Sequence, residues 1–410
     1  MEKIERRKKR ISFFSVLFTY FVDNLGWSIV FPIFAPLFLD PQNLIFSVET
    51  SVATRTTMLG FFLSAFPLAQ FFGGPILGEV ADRYGRKRGF LLSILLVFIG
   101  YALSAFSLHI NNLVLLFFSR LLSGLFSGNL SICLAAMSDL SSTEKGKIRK
   151  FGYLSVLGGF SFIIGAFLGG KFSDFHLNSY FFPALPLWIA AALSFVNLFF
   201  ILFFFQESFQ PEKEKKQDLL ESWHNIQKAL KTEKIKILYF LFFFFFCSWT
   251  IVLQFTPVLV VQRFSFSNSQ IGDLSAFMGI CWAIGSGLVH RILSKKFAEF
   301  RILEFCLVAF TILSFFISFQ KHISVLVVIL GTGIILAGMA WPLCSGMISN
   351  MAPKHIQGKI MGMTQSVQSL AMVVSPLLGG VVDQISSHLP FILAGVFSFF
   401  AAAVYFLLKK

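Results

Sequence analysis

The chain has 410 residues, 56% of them hydrophobic and only 13% charged, with a mean hydropathy of +0.77. That balance excludes an ordinary soluble domain. The formal net charge of +14 would suit nucleic acid, but the basic residues sit at the ends of apolar runs, which excludes that partner. A helix that crosses a membrane needs about 20 mostly apolar residues. Twelve such runs occur, near 13–38, 57–79, 89–107, 113–138, 151–171, 181–205, 237–261, 271–293, 302–319, 324–349, 358–382 and 389–408. They nearly fill the chain and leave no room for a soluble catalytic domain, so no enzyme is expected. The first run is too long for the apolar core of a signal peptide. The 56 phenylalanines, Phe242 to Phe246 among them, read as lipid-facing bulk rather than a binding device.

In a twelve-span chain, alternate loops share the side of the N-terminus. Twenty-nine of the 34 lysines and arginines fall on that side; only Arg55, Arg120, Lys171, Arg263 and Lys321 lie elsewhere. Basic loops stay cytoplasmic, which predicts a multi-pass protein of the cytoplasmic (inner) membrane with both termini inside. Some attraction to anionic lipid headgroups follows from the same charges. Cys133, Cys247, Cys281, Cys306 and Cys344 all lie within the apolar runs, with neither paired nor metal-ligand spacing. No metal and no cofactor is expected. No glycine-rich phosphate loop or nucleophile constellation appears.

Residues 207–236 form the one long polar stretch, with seven lysines and six acids and an amphipathic look around Leu219 to Leu230. They read as a cytoplasmic linker between an N-terminal half, 1–206, and a C-terminal half, 237–410. A shift of 210 residues sets Gly152 on Gly362, Ala166 on Pro376, Leu168 on Leu378 and Gly169-Gly170 on Gly379-Gly380. The expected fold is therefore all-α: twelve transmembrane helices in two pseudo-symmetric six-helix halves. Chains built from such repeats place substrate between the halves near the bilayer midplane.

Between the second and third runs, residues 78–88 read Gly-Glu-Val-Ala-Asp-Arg-Tyr-Gly-Arg-Lys-Arg. Gly78, Asp82, Arg83, Gly85, Arg86 and Lys87 occupy the positions of G-x-x-x-D-R-x-G-R-K/R, and the segment resembles the loop between helices 2 and 3 of the major facilitator superfamily of transporters. Helix 1 carries Phe21-Val-Asp-Asn-Leu-Gly-Trp-Ser-Ile-Val-Phe-Pro32 and then Pro36. Asp23, Gly26 and Pro32 resemble the helix 1 signature of the twelve-span drug–proton antiporter branch, which includes tetracycline efflux pumps. Arg120, Gly124 and Gly128 are similar to the superfamily's R-x-x-x-G-x-x-x-G, with Ser123 where a glutamine is common. Helix 5 departs from the branch: Gly165-Ala166-Phe167-Leu168-Gly169-Gly170 has Ala166 in place of the proline of G-P-x-x-G-G.

An ionised carboxylate in mid-membrane costs at least ~2.5–3.5 kcal/mol on insertion scales, so Asp23 should face a cavity or a partner. It is the candidate for proton coupling, or else a structural carboxylate bonded to Asn24 or a neighbouring helix. Tyr20, Asp23 and Trp27 share a face by helical spacing, a surface suited to an amphipathic or cationic substrate. Arg120 is always charged and must find partners. The resemblance implies that it modulates proton movement near Asp23; the alternative is a bridge pinning helices 1 and 4. Asn24, Trp249, Gln254, Trp341, Gln365 and Gln368 are further candidates for the substrate cavity, as polar or aromatic outliers in apolar runs.

The resemblance places Asp82 at the start of helix 11, near Gln357 and Gly358, as an anion at a helix N-terminus. Arg86 is expected to pair with Asp139 at the end of helix 4, making the loop a conformational latch. The reading is a proton-coupled exporter of an amphipathic small molecule, acting as a monomer in the lipid bilayer. The alternatives are proton-coupled uptake of a nutrient or siderophore, encouraged by Ala166, and a transporter-like receptor or scaffold that moves nothing.

Overall fold

The computed structural model describes residues 2–40, 45–47, 49–141, 144–208, 233–351 and 357–408. Among them are twelve helices long and apolar enough to cross a bilayer: α1 (Lys9–Leu39), α2 (Val52–Tyr84), α3 (Arg86–His109), α4 (Leu113–Asp139), α5 (Gly152–Ser173), α6 (Leu185–Phe204), α7 (Ile235–Phe264), α8 (Asn268–Leu293), α9 (Glu299–Ser318), α10 (Ile323–Ser349), α11 (Met363–Asp383) and α12 (Leu389–Leu407). No strand occurs among the described residues. Hydrocarbon offers no water to backbone N–H and C=O groups, so each span must close its own hydrogen bonds. Every run expected from hydropathy is a helix, with ends shifted by a few residues. The expected amphipathic segment around 219–230 lies outside the described residues.

Side-chain caps fix several ends. The Ser51 hydroxyl accepts from the Thr54 N–H at 3.2 Å and opens α2 ahead of the apolar run. Asn112 Oδ1 accepts from the Leu115 N–H at 2.9 Å at the start of α4. Ser267 and Gln270 form a reciprocal capping box at α8.

Neighbour relations repeat between the two sets of six. In the first, α1 packs on α5 and α6, α2 on α4, and α3 on α4 and α6. In the second, α7 packs on α11 and α12, α8 on α10, and α9 on α10 and α12. Two seams join the sets, α2 against α11 and α5 against α8. Both seams depend on glycine. A Cβ on Gly170 would come within 2.6 Å of Gly272 Cα, and one on Gly380 within 3.1 Å of Gly60 Cα. Gly170 and Gly380 are the residues matched by the 210-residue repeat, so the repeat carries the same close approach twice.

Polar side chains reinforce the α5–α8 seam. Lys171 Nζ donates to Ser269 Oγ at 2.7 Å and pairs with Asp273 at 2.8 Å. Asp174 Oδ2 accepts from the Ser269 N–H at 3.0 Å, and Asn268 Nδ2 donates to Ser173 Oγ at 2.9 Å. This clasp lies at the end of the bundle away from the chain termini.

The phenylalanines require a correction. Phe242, Phe245 and Phe246 are buried, because α7 is central and packs on α1, α10, α11 and α12 instead of facing lipid. Exposed rings do occur, such as Phe203 and Phe305, but the expectation of lipid-facing bulk fails for the core of this run. All five cysteines are buried and free.

The seams make opposite demands on two glycines of one helix. Gly170→Ala forces apart two backbones and should lower the melting temperature of the purified protein, at a cost of about 1–3 kcal/mol. Gly159 has open space where its Cβ would stand, so Gly159→Ala should be neutral or raise it, by up to about 1 kcal/mol. Equal effects of the two would count against the seam.

Candidate functional site

Two interrupted helices build the centre of the first set. Helix α1 stops at Ser28 and resumes at Phe31. Pro32 has no N–H for the Ser28 carbonyl and its ring crowds that group. Helix α4 stops at Phe126 and resumes at Asn129. Its freed carbonyls find side-chain donors: the Ser93 hydroxyl lies 2.6 Å from the Phe126 carbonyl, and Gln70 Nε2 donates to that of Ser127 at 3.4 Å.

Asp23 faces this second break. Its Oδ1 accepts from Asn129 Nδ2 at 3.2 Å, and Asn129 Oδ1 is 2.6 Å from the Ser93 hydroxyl. Asn129 is the first residue of the half-helix Asn129–Asp139, whose N-terminal dipole favours a negative charge there. Asp23 as a residue is half-buried, and its carboxylate has a partner. The alternative partner Asn24 is excluded: its Nδ2 donates to the Tyr20 carbonyl at 2.8 Å.

The face expected to hold Tyr20, Asp23 and Trp27 together is divided between neighbours. Tyr20 packs beside Gly158, and Trp27 lies 5.8 Å from the Phe162 ring, both on α5, while Asp23 turns to α4. The reason is that α1 is wedged between those two helices.

Arg120 does not pin α1 to α4 by an ion pair: among the described residues none joins it to Asp23. It is 3% exposed and held among rings, with its guanidinium carbon 4.8 Å from the Phe66 centroid, 5.8 Å from Phe34 and 5.9 Å from Tyr101. Its Nε and Nη1 have no hydrogen-bond partner among the described residues. Tyr101 lies within electrostatic reach of both Asp23 and Arg120. The close approach requires Gly26, since a Cβ there would stand 2.5 Å from the Tyr101 hydroxyl. A narrow crevice opens beside Arg120, lined by Trp27, Phe31, Phe34, Phe62, Phe66 and Gln254 among others.

Of the remaining cavity candidates, Gln254 reaches the crevice from α7, 5% exposed and with Oε1 unpartnered among the described residues. Trp249 and Trp341 do not. They flank Trp282 of α8 at centroid distances of 4.5 and 6.4 Å, forming an aromatic stack of the second set. Gln365 is exposed and Gln368 partly so, and neither lines the crevice. The packing of α7 and α11 against the first set turns Gln254 and Met372, not these residues, toward Arg120.

In the 78–88 loop, Arg86 is buried and pairs with both Asp82 and Asp139, the latter at 3.2 Å. The pairing with Asp139 is as expected. An anion also stands at the N-terminus of α3: Glu207 accepts from the Arg86 N–H at 2.9 Å and the Lys87 N–H at 3.0 Å. Asp82 pairs with Arg86 one turn onward. The surroundings expected for Asp82 at the start of α11, near Gln357 and Gly358, lie outside the described residues. Arg83 rests over the Tyr84 ring, 5.5 Å away. Gly78 has only the Ser131 hydroxyl near its Cβ position, at 3.9 Å. Gly85 has φ +99° and ψ 152°, a region open essentially to glycine alone.

Sequence reasoning missed Tyr101, Asn129, Trp282, Glu207, Phe34 and Phe66. Asn129 and Tyr101 carried a signal, as polar groups in the middle of apolar runs. The rings around Arg120 carried none among so many phenylalanines.

Twelve spans, broken helices that meet at buried charges and two glycine seams define a membrane transporter. The model of the Major Facilitator Superfamily matches residues 16–375, and again 292–410. The chain belongs to that superfamily and is a transporter, not an enzyme. It is 24% identical over 398 residues to Multidrug resistance protein 2 of Bacillus subtilis (strain 168), covering 96% of this chain and 94% of the relative. It is 26% identical over 374 residues to the class H tetracycline resistance protein of Pasteurella multocida, covering 88% and 86%. The solved structure of the human organic anion transporter MFSD10 (TETRAN) superposes with a TM-score of 0.71 at 20% identity, covering 97% of this chain and 99% of that one. A D-xylose–proton symporter gives a TM-score of 0.73 at 13% identity, covering 96% of each.

The loop geometry makes a prediction. Gly85→Ala places a Cβ against the Glu207 carboxylate in a strained backbone region and should cost about 1–3 kcal/mol. Glu207→Gln keeps the shape but removes charge from the α3 N-terminus and should cost about 0.3–1 kcal/mol. Thermal unfolding of the two purified variants checks the order, and an undisturbed Gly85→Ala protein would contradict the loop conformation.

Proposed function

We propose that the chain is a proton-coupled secondary transporter that exports an amphipathic small molecule across the cytoplasmic (inner) membrane, working as a monomer. The observation that carries this reading is the Asp23 carboxylate. It stands beside the break of α4, bonded to one amide, where a proton can arrive and leave. Tyr101 lies within electrostatic reach of Asp23 and bonds to Arg120, so it can relay the state of that proton to the arginine.

In this reading residues 1–206 and 237–410 are the moving units and 207–236 the linker. The glycine seams and the Lys171–Asp273 clasp hold one end of the bundle shut. With both termini in the cytoplasm, that end faces outward and the site opens inward. Rocking the units would break the clasp and release substrate outside. Asp82, Arg83, Arg86, Lys87 and Asp139 would act as the latch at the opposite end.

The multidrug and tetracycline resistance relatives favour export. Ala166, the argument for uptake, is fully buried, and its carbonyl lies at the α5–α8 seam 3.0 Å from where a Cβ on Gly272 would stand. Close packing accounts for a small residue there, so uptake gains no support from it.

Transport in reconstituted vesicles tests the coupling. Asp23→Asn retains shape and a hydrogen-bonding group but cannot titrate, so accumulation driven by a pH gradient should vanish while substrate binding persists and loses its pH dependence. Retained coupling in that variant would remove Asp23 from the mechanism. The orientation is checked by an impermeant thiol reagent on intact cells, where Asn225→Cys should stay unlabelled and Tyr180→Cys, 81% exposed between α5 and α6, should react.

A further inference from the structure

We propose that the molecule carried is an organic anion, whose carboxylate docks on Arg120 in the aromatic crevice while a neighbouring hydroxyl or N–H donates to Gln254. The inference rests on the transport reading for its role in export, though not for binding.

Arg120 is the starting point. A guanidinium stays charged even when buried, and buried N–H groups without a partner are costly. Its Nε and Nη1 are in that condition at 3% exposure, at the wall of a crevice. The ring faces of Phe66 and Phe34 hold the cation by π contacts, and the Tyr101 side chain also hydrogen-bonds the guanidinium; none of these neutralises the charge, and Nε and Nη1 keep their donors free among the described residues. No acidic residue lines the crevice; the carboxylate of Asp23 is bonded to Asn129 instead. The cavity beside Arg120 is thus a positive site with donors to offer.

Size and polarity narrow the occupant. The free volume is about 30 Å³, which holds one or two waters or the two oxygens of a carboxylate. It receives a head group, not the whole of an amphipathic molecule. Gln254 faces the same crevice across the interface between the two sets, with an acceptor oxygen that lacks a donor. A carboxylate with an adjacent O–H or N–H satisfies both groups at once, and the apolar body of the molecule lies beyond this volume. The cationic substrate suggested by the Tyr20–Asp23–Trp27 face fits this crevice poorly, since its wall already carries a positive charge.

The test is calorimetric titration of the purified full-length protein with 3-hydroxy-2-naphthoate, its neutral amide, 2-naphthoate without the hydroxyl, and tetraphenylphosphonium. The wild type should bind 3-hydroxy-2-naphthoate saturably and the amide at least about tenfold more weakly, the scale of a lost hydrogen bond to a charged group. Arg120→Gln should lose at least about tenfold for the naphthoates and leave the amide unchanged, with Arg120→Lys in between. Gln254→Leu should weaken 3-hydroxy-2-naphthoate but not 2-naphthoate. The proposal is overturned if the naphthoates fail to bind, if the amide or the phosphonium binds the wild type as well as 3-hydroxy-2-naphthoate does, or if Arg120→Gln leaves the naphthoates unaffected. Should Arg120→Gln not fold, the wild-type ligand series and Gln254→Leu decide. Discrimination of carboxylate over amide without proton-driven movement in vesicles would strike the transport reading and leave the anion site standing.

Discussion

The structure depends on one constraint: in hydrocarbon every backbone donor and acceptor must be paired within the protein. Continuous helices meet it automatically, and any break must find side-chain donors and acceptors. This chain breaks α1 at Pro32 and α4 at Gly128, and at the α4 break a hydroxyl and an amide from neighbouring helices, Ser93 and Gln70, cover the opened backbone. The same cluster can hold charge. Asp23 sits against the start of the second half of α4, and Arg120 lies two turns before the break, so the charged groups are where the backbone has been opened for them.

Glycine provides the second organising feature. Helices crossing at Gly60–Gly380 and Gly170–Gly272 approach backbone to backbone, a geometry typical of membrane interfaces, where small residues replace the hydrophobic effect as the basis of association. Because the contact is repeated by the 210-residue pseudo-symmetry, one end of the bundle closes on both sides at once. The polar clasp of Lys171, Asp174, Ser269 and Asp273 lies near one seam and is built from side chains that can exchange protein partners for water. That combination joins close backbone packing to polar contacts at the same end of the bundle.

Arg120 and Glu207 show how a motif can be legible while its partners are not. The 78–88 string announced a loop with a paired Arg86, and the pairing with Asp139 followed from the position of α4. That the N-terminus of α3 also receives an anion did not follow, because Glu207 is the first acid after α6 and reaches α3 only through the folding of α6 beside it. Arg120 announced a buried charge. Whether an acid, a carbonyl or a ring would surround it depended on the rotation of α1, α2 and α3 about their axes, and spacing along one helix does not determine that rotation relative to its neighbours.

The sequence by itself determined the number of spans, the basic asymmetry between their loops, the 210-residue repeat and the presence of Asp23 and Arg120 within the membrane. Those are properties of composition and order, and hydrocarbon thickness converts them directly into helices. Only the tertiary structure decided that Asp23 bonds to Asn129 and not Asn24, that Arg120 is caged by Phe34, Phe66 and Tyr101, that Gln254 faces the crevice while Trp249, Trp341, Gln365 and Gln368 do not, and that much of the phenylalanine in α7 is core. In a membrane protein lipid-facing and protein-facing surfaces are both apolar, so hydropathy cannot tell them apart. Packing does, through the places where glycine and proline let helices come close or bend.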